Sequence, residues 1–218
     1  VVEKALRFFF FFWRDDWGFD DSVNRGIFKE AINVLGLWNW QDLYPAAGGL
    51  MDRAVCALTE NSRWWNAREK FWLATVGGGA VTSATANLLT SCALLEVKGE
   101  CFAETHIKPA IDTLLASDSY RCSHNKDLLS AWPFRQDRAD IRANGYLLLA
   151  MKLFDLVTGS TTYRSTAQYA NVASWWETMR DDRGFLEYQN CNDGQRGSHA
   201  SPAQFLAAFW IAGTYKWD

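Results

Sequence analysis

The chain has no excess of basic charge. Its 22 Lys and Arg are outnumbered by 25 Asp and Glu, for a formal net charge of −3. No positive field therefore draws in nucleic acid or an anionic membrane, and no nucleic-acid partner is expected. None of the five cysteines forms a Cys-x-x-Cys pair, which argues against a zinc knuckle. The three histidines, His106, His124 and His199, show no metal-ligand spacing, so no metal and no cofactor is expected. The triplet Gly77–Gly79 lacks the Lys-Ser/Thr of a phosphate loop; it fits a tight turn or a close approach of backbone to ligand. No Ser sits in a nucleophile-elbow signature. The apolar run from Phe8 to Trp13 is far short of the ~20 residues that span a bilayer, so no transmembrane segment is expected. No convincing run of alternating strand residues is present.

What remains is a globular composition. The chain has 218 residues, 49% of them hydrophobic, enough for a single domain over 1–218 with a real core. Twelve Trp stand out. Trp is costly to bury unless its N–H finds a partner. Each is therefore either core or a flat face for stacking a sugar ring. The stacking candidates are Trp17, Trp38, Trp40, Trp64 and Trp132, with Trp17 and Trp64 foremost. Cys92 lies in a helical pattern and reads as a buried thiol, whereas Cys101, Cys122 and Cys191 fall at helix ends or loops, where a disulfide could form. Such usage leans towards an oxidising, extracellular or cell-wall setting.

The chain repeats one rhythm: a helix of small residues, a short loop, a bulkier helix, a long loop. "DDSVNRGIFKEAINVLGLW" offers Asp/Ser cap chemistry and helical spacing at Ile27, Ala31, Val34, Leu35 and Trp38. "GGLMDRAVCALTE" is its partner. "TSATANLLTSCALLEVKG" ends at Gly99, and its partner "FAETHIKPAIDTLLAS" carries Pro109 inside the pattern, which predicts a kink or a late start. "RADIRANGYLLLAMKLFDLVTG" closes at Gly159 and pairs with "TYRSTAQYANVASWWETM"; "SHASPAQFLAAFWIAGTYKW" opens a fourth unit. Inner helices that are apolar all round, wrapped by amphipathic outer ones, make an all-α protein. The pattern predicts an α/α toroid of helical hairpins, with about four inner helices, so incomplete against a six-hairpin ring. Sites in such folds lie where loops enter the inner helices. The loops "RDDWGFDD", "WLATVGGG", "HNKDLLSAWPFRQDR" and "NCNDGQRGSH" are therefore the informative ones.

Several motifs in this order resemble glycoside hydrolase family 76, the endo-α-1,6-mannanase-like enzymes. They are Asp20-Asp21, Arg63-Trp64-Trp65, Gly77–Gly79, Asn87, Thr158-Gly159 with Tyr163, and Cys191-Asn192-Asp193. The chain departs from that pattern at Phe19 and Ser22, which flank the aspartate pair, and at Val76 before the triplet. The resemblance implies an oligo- or polysaccharide partner. It also implies Asp20 as nucleophile and Asp21 as acid/base in a retaining, metal-free mechanism on α-mannan-like glycans. A retaining glycosidase needs two carboxyls about 5–5.5 Å apart, and crowding raises one pKa so that a proton stays available. The competing reading of the pair is helix capping.

Asp15 and Asp16 form a second pair, read as loop residues that bind sugar hydroxyls beside Trp17. Asn87 and Asn144 lie on apolar inner helices. A buried Asn needs partners, so each either ties neighbouring segments together or points at substrate. His199 precedes the fourth inner helix and is a substrate-binding candidate; the alternative is a hydrogen-bonded loop His. His106 reads as a satisfied His on an outer helix. Two other functions stay open: a non-catalytic relative that binds glycan or protein, and a terpene-type enzyme, either a cyclase, from the aspartate-rich "DDWGFD", or a dehydratase-isomerase using Cys122 and His124 in "YRCSHN".

Overall fold

A computed structural model describes residues 13–14, 18–19, 26–73, 83–133 and 135–199. Asp15, Asp16, Trp17, Asp20, Asp21 and the Gly77–Gly79 triplet lie outside the described residues. So does nearly all of the fourth helical unit, beyond His199.

The described residues form three helical hairpins. The first pairs α1 (Ile27–Trp40) with α2 (Pro45–Glu60). The second pairs α3 (Ala84–Lys98) with α4 (Lys108–Ala116), and the third pairs α5 (Ile141–Thr158) with α6 (Ala167–Thr178). Helix α3 packs between α1 and α5, so these three form the inner layer, while α2, α4 and α6 lie outside. The arrangement is that of an α/α toroid. Every residue of α3 except Glu96 and Lys98 is buried, and α5 is buried without a break from Ala143 to Asp155. A helix enclosed on all sides has no use for a polar stripe, which explains its uniform apolar composition. The outer helices bury one face only: Leu50, Ala54 and Leu58 on α2, Ile111 and Leu114 on α4, Val172 and Trp176 on α6.

The stops are as expected. Gly99 ends α3 at φ 56°, and Gly159 ends α5 in the left-handed region at φ 65°. Gly, lacking a Cβ, adopts these angles without steric cost. The partner of α3 starts late. A 3₁₀ turn (Gly99–Phe102) and a π turn (Ala103–Ile107) precede α4, and Pro109 falls in its first turn, where its missing N–H costs nothing. Helix α1 differs from expectation. Its N-cap is Gly26, which has no side chain to offer, so no Asp or Ser holds that position.

Among the described residues the strands are two or three residues long and pair in the loops outside the helices. β1 (Trp13–Arg14) pairs with β2 (Gly18–Phe19), and β3 (Trp65–Asn66) with β4 (Phe71–Trp72). β5 (Arg138–Asp140) pairs with β8 (Tyr188–Asn190), and β6 (Arg180–Asp181) with β7 (Gly184–Phe185). Much of the Trp content is core. Trp64, Trp72 and Trp176 are buried. The Trp72 indole donates to the Leu58 carbonyl at 2.8 Å, and Trp176 donates to that of Ile141 at 3.2 Å. That removes the penalty for an unpaired N–H.

Among the described residues, no helix is long and apolar enough to cross a membrane.

Candidate functional site

The inner helices begin where the long loops arrive, and two of those beginnings are built alike. Ser83 caps α3 and Asp140 caps α5, each accepting from the first free N–H groups of its helix. Four residues on, Asn87 and Asn144 are fully buried. The Asn87 amide accepts from Trp72 N at 2.7 Å, and donates to Trp72 O at 3.0 Å and Ser83 O at 3.1 Å. Asn144 does the same with Leu129 N (2.9 Å), Leu129 O (2.7 Å) and Asp140 O (2.8 Å). Both amide donors are spent on backbone in each case. Of the two uses open to these residues, the geometry is that of ties that pin an incoming loop to an inner helix. Trp64 is 1% exposed and offers no open face for stacking.

The loops that Asn144 pins form a cavity of about 290 Å³ at the N-terminal end of α5. It is lined by Ala131, Trp132, Arg135, Arg138, Asp140, Arg142, Glu187 and Tyr188. Residues 131–142 and 187–188 reach it from chain-distant loops, and several bonds brace the join. β5 and β8 pair across it, Ile141 N donates to Glu187 O at 3.1 Å, and Cys191 N donates to Asp137 O at 2.7 Å. The disulfide Cys122–Cys191 links the same two loops across 69 positions.

The electrostatics of the cavity are mixed. Burial pushes the Asp140 carboxyl above the usual range. Arg142 and the N–H groups of Ala143 and Arg142 pull it back, and the Glu187 charge adds to the rise. Arg142 lies 3.7 Å from Asp140, and Arg138 lies 3.5 Å from Asp137 while its guanidinium stacks over Tyr188, 4.3 Å from the ring centroid. Three guanidiniums therefore face two carboxylates at the lining. A partly desolvated carboxyl, a second carboxylate nearby and the Trp132 indole can position a sugar and move a proton to or from it.

Of the residues singled out in the sequence, Trp132 alone reaches this cavity among the described ones. His199 lies elsewhere. Its Nε2 donates to both oxygens of Asp181 at 3.0 Å, which holds that carboxyl below its usual range. His106 is satisfied as expected. Nε2 donates to Thr59 O at 3.0 Å, and Trp65, Trp72 and Phe102 pack around the ring. Cys122 is in the disulfide, which removes the thiol that a dehydratase-isomerase chemistry would draw from it. The cavity's Arg135, Arg138, Asp140, Arg142, Glu187 and Tyr188 were not singled out in the sequence. The one available signal was the recurrence of Arg at three- and four-residue steps in and just beyond a loop already marked as informative.

No family model matches the chain, and no curated protein does. A solved structure titled as a polysaccharide lyase shares the fold, with a TM-score of 0.62 over 90% of this chain at 8% identity. The chain spans 63% of the length of that structure.

Proposed function

We propose that the protein is a carbohydrate-active enzyme that holds an oligo- or polysaccharide across the end of the toroid where the inner helices begin. The observation that carries this reading is the cavity at the start of α5. There Trp132 supplies an aromatic face beside Asp140 and Glu187, the combination that ring stacking and proton transfer require. The likeness of the fold to a structure titled as a polysaccharide lyase is in keeping with it. The finer reading is retaining hydrolysis or transfer on an α-mannan-like glycan, with Asp20 as nucleophile and Asp21 as acid/base. It rests on the resemblance to glycoside hydrolase family 76 and on the shared pattern of loops entering inner helices. The Cys122–Cys191 disulfide supports an oxidising, extracellular or cell-wall location.

The test is a reducing-end assay on α-1,6-mannan and on a panel of acidic and neutral polysaccharides. Four substitutions are compared with the parent: Asp20→Asn, Asp21→Asn, Asp140→Asn and Glu187→Gln. Loss of turnover in Asp20→Asn and Asp21→Asn, with unchanged circular dichroism, supports the two-aspartate mechanism. Full activity in both removes it. Loss in Asp140→Asn or Glu187→Gln alone moves the chemistry to the α5 cavity. Absence of cleavage and of binding across the whole panel removes the carbohydrate reading.

A further inference from the structure

The charges around the cavity at the start of α5 cancel. Arg135, Arg138 and Arg142 stand against Asp140 and Glu187 in the lining, and Asp137 lies beside Arg138. Two of the pairings are contacts: Arg138 lies 3.5 Å from Asp137 and Arg142 lies 3.7 Å from Asp140. Arg135 and Glu187 are then the remaining opposite charges of the lining. The two acids of the wall are not equivalent. Asp140 Oδ1 is committed to the helix cap, where it takes the N–H groups of Arg142 and Ala143 at 2.9 Å each. Its side chain is 14% exposed. Glu187 is half-buried and lines the cavity from a chain-distant loop. Its backbone is fixed at both polar groups: N donates to Ser198 O at 2.9 Å, and O accepts from Ile141 N at 3.1 Å. A carboxylate on so braced a stretch is a charge with a set place.

Such a wall treats neutral and anionic sugars differently. A hydroxyl accepts from a guanidinium and donates to a carboxylate, so it satisfies both kinds of group. A sugar carboxylate only accepts. It gains beside the arginines and is repelled by Glu187 and Asp140. We infer that Glu187 is a specificity-determining residue: its carboxylate offsets Arg135, so that the cavity admits uncharged sugar residues and turns away uronates. Discrimination by a repulsive charge placed against the wrong ligand is a general device. The inference rests on the carbohydrate reading above and deepens it. Trp132 offers its ring to either class of sugar, which leaves the choice between them to the charges. A part for Glu187 in proton transfer is read in turnover, whereas this role is read in the ratio of two binding constants.

The experiment uses the full chain and three kinds of oligosaccharide probe. The first comprises uronate tetrasaccharides from hyaluronan and polygalacturonate. The second comprises the same compounds with their carboxyls reduced to alcohols, and the third is α-1,6-mannotetraose. Binding is read by calorimetry and by quenching of Trp fluorescence. The parent is expected to bind at least one uncharged probe, and to bind no uronate more tightly than its reduced form. Glu187→Gln should raise the affinity for uronate relative to the reduced form roughly tenfold, the size of one charge–charge interaction at a partly buried place. That gain should shrink as salt is raised. Glu187→Asp keeps the charge and should keep the parent ratio. Adding Arg135→Gln to Glu187→Gln should return the ratio to that of the parent. Arg135→Gln alone should lower it, which tests the charge balance with Glu187 intact. A parent that prefers uronates, or ratios unmoved in both Glu187→Gln and Arg135→Gln, overturns the role of Glu187 and leaves the carbohydrate reading standing. Failure of every probe with parent and variants overturns both.

Discussion

Asn87 and Asn144 make the same three hydrogen bonds, each reaching back 15 residues to clamp the N–H and C=O of one residue, Trp72 or Leu129. Each is the fourth residue of its inner helix, and the third bond of each returns to the carbonyl of its own N-cap. The fourth residue of α1 is Glu30, also buried at 3% exposure. An ionised carboxylate accepts but cannot donate, so it cannot clamp a carbonyl as Asn does.

Replacing either Asn by Ala strands a buried N–H and a buried C=O. Each stranded group costs about 1–3 kcal/mol, so a loss of roughly 2–6 kcal/mol is expected for Asn144→Ala and for Asn87→Ala. Urea unfolding measures it. A loss below about 0.5 kcal/mol, the size of an ordinary surface change, would show that the clamp carries no weight.

Cys122–Cys191 closes a loop of 69 positions. Chain-entropy arguments give a bridge of that span about 4 kcal/mol. Cys122→Ser should lower the thermal midpoint by many degrees, and Cys191→Ser by the same amount. The double variant should match either single one, because both remove one bond.

Gly197 is the tightest glycine at the site. A Cβ there would lie 2.5 Å from Cε1 of Tyr188 and 2.8 Å from Cζ. Gly197→Ala must push the ring aside, and with it the Arg138 guanidinium stacked on its face. The expected result is a weakened cavity, read as loss of glycan-dependent Trp quenching, with a stability cost of about 1–3 kcal/mol. Unchanged binding would show that the Tyr188 ring plays no part in recognition.

Burial lowers the pKa of His106, with Lys70 adding to the fall and the Thr59 carbonyl opposing it. The unfolded chain takes up a proton near pH 6.5 that the folded chain resists. This contribution is therefore complete above the unfolded value and is lost as pH falls towards the folded one. Denaturation at pH 7.5 and 5.5 should show a smaller acid-induced loss in His106→Gln than in the parent. An NMR titration placing His106 at or above the free-histidine value would refute the sign.

Much of this architecture is legible in the residues. Helices α3 and α5 are legible because all-round burial leaves a sequence with no polar stripe, and Gly99 and Gly159 mark their ends because the left-handed turn admits little else. The start of α1 is not legible, since Gly26 carries no capping side chain. The π turn before α4 is hidden because its residues differ little from helical ones. The cavity is the least legible part. Arg138 and Glu187 read as ordinary surface charges, and only the pairing of β5 with β8 brings them together. The two Asn were legible as polar intrusions into apolar helices, but their backbone partners depend on loop paths that no local pattern fixes.

The bridge at Cys122 also sets a condition on how the molecule is handled. It borders a second cavity, lined by Asn125, Gln189 and Asn190, that shares its loops with the arginine cavity. Dithiothreitol or a glutathione-rich lysate would leave those loops joined by non-covalent contacts alone, the β5–β8 pairing among them. Material purified under reducing buffer and material refolded in air are, at this wall, two different preparations.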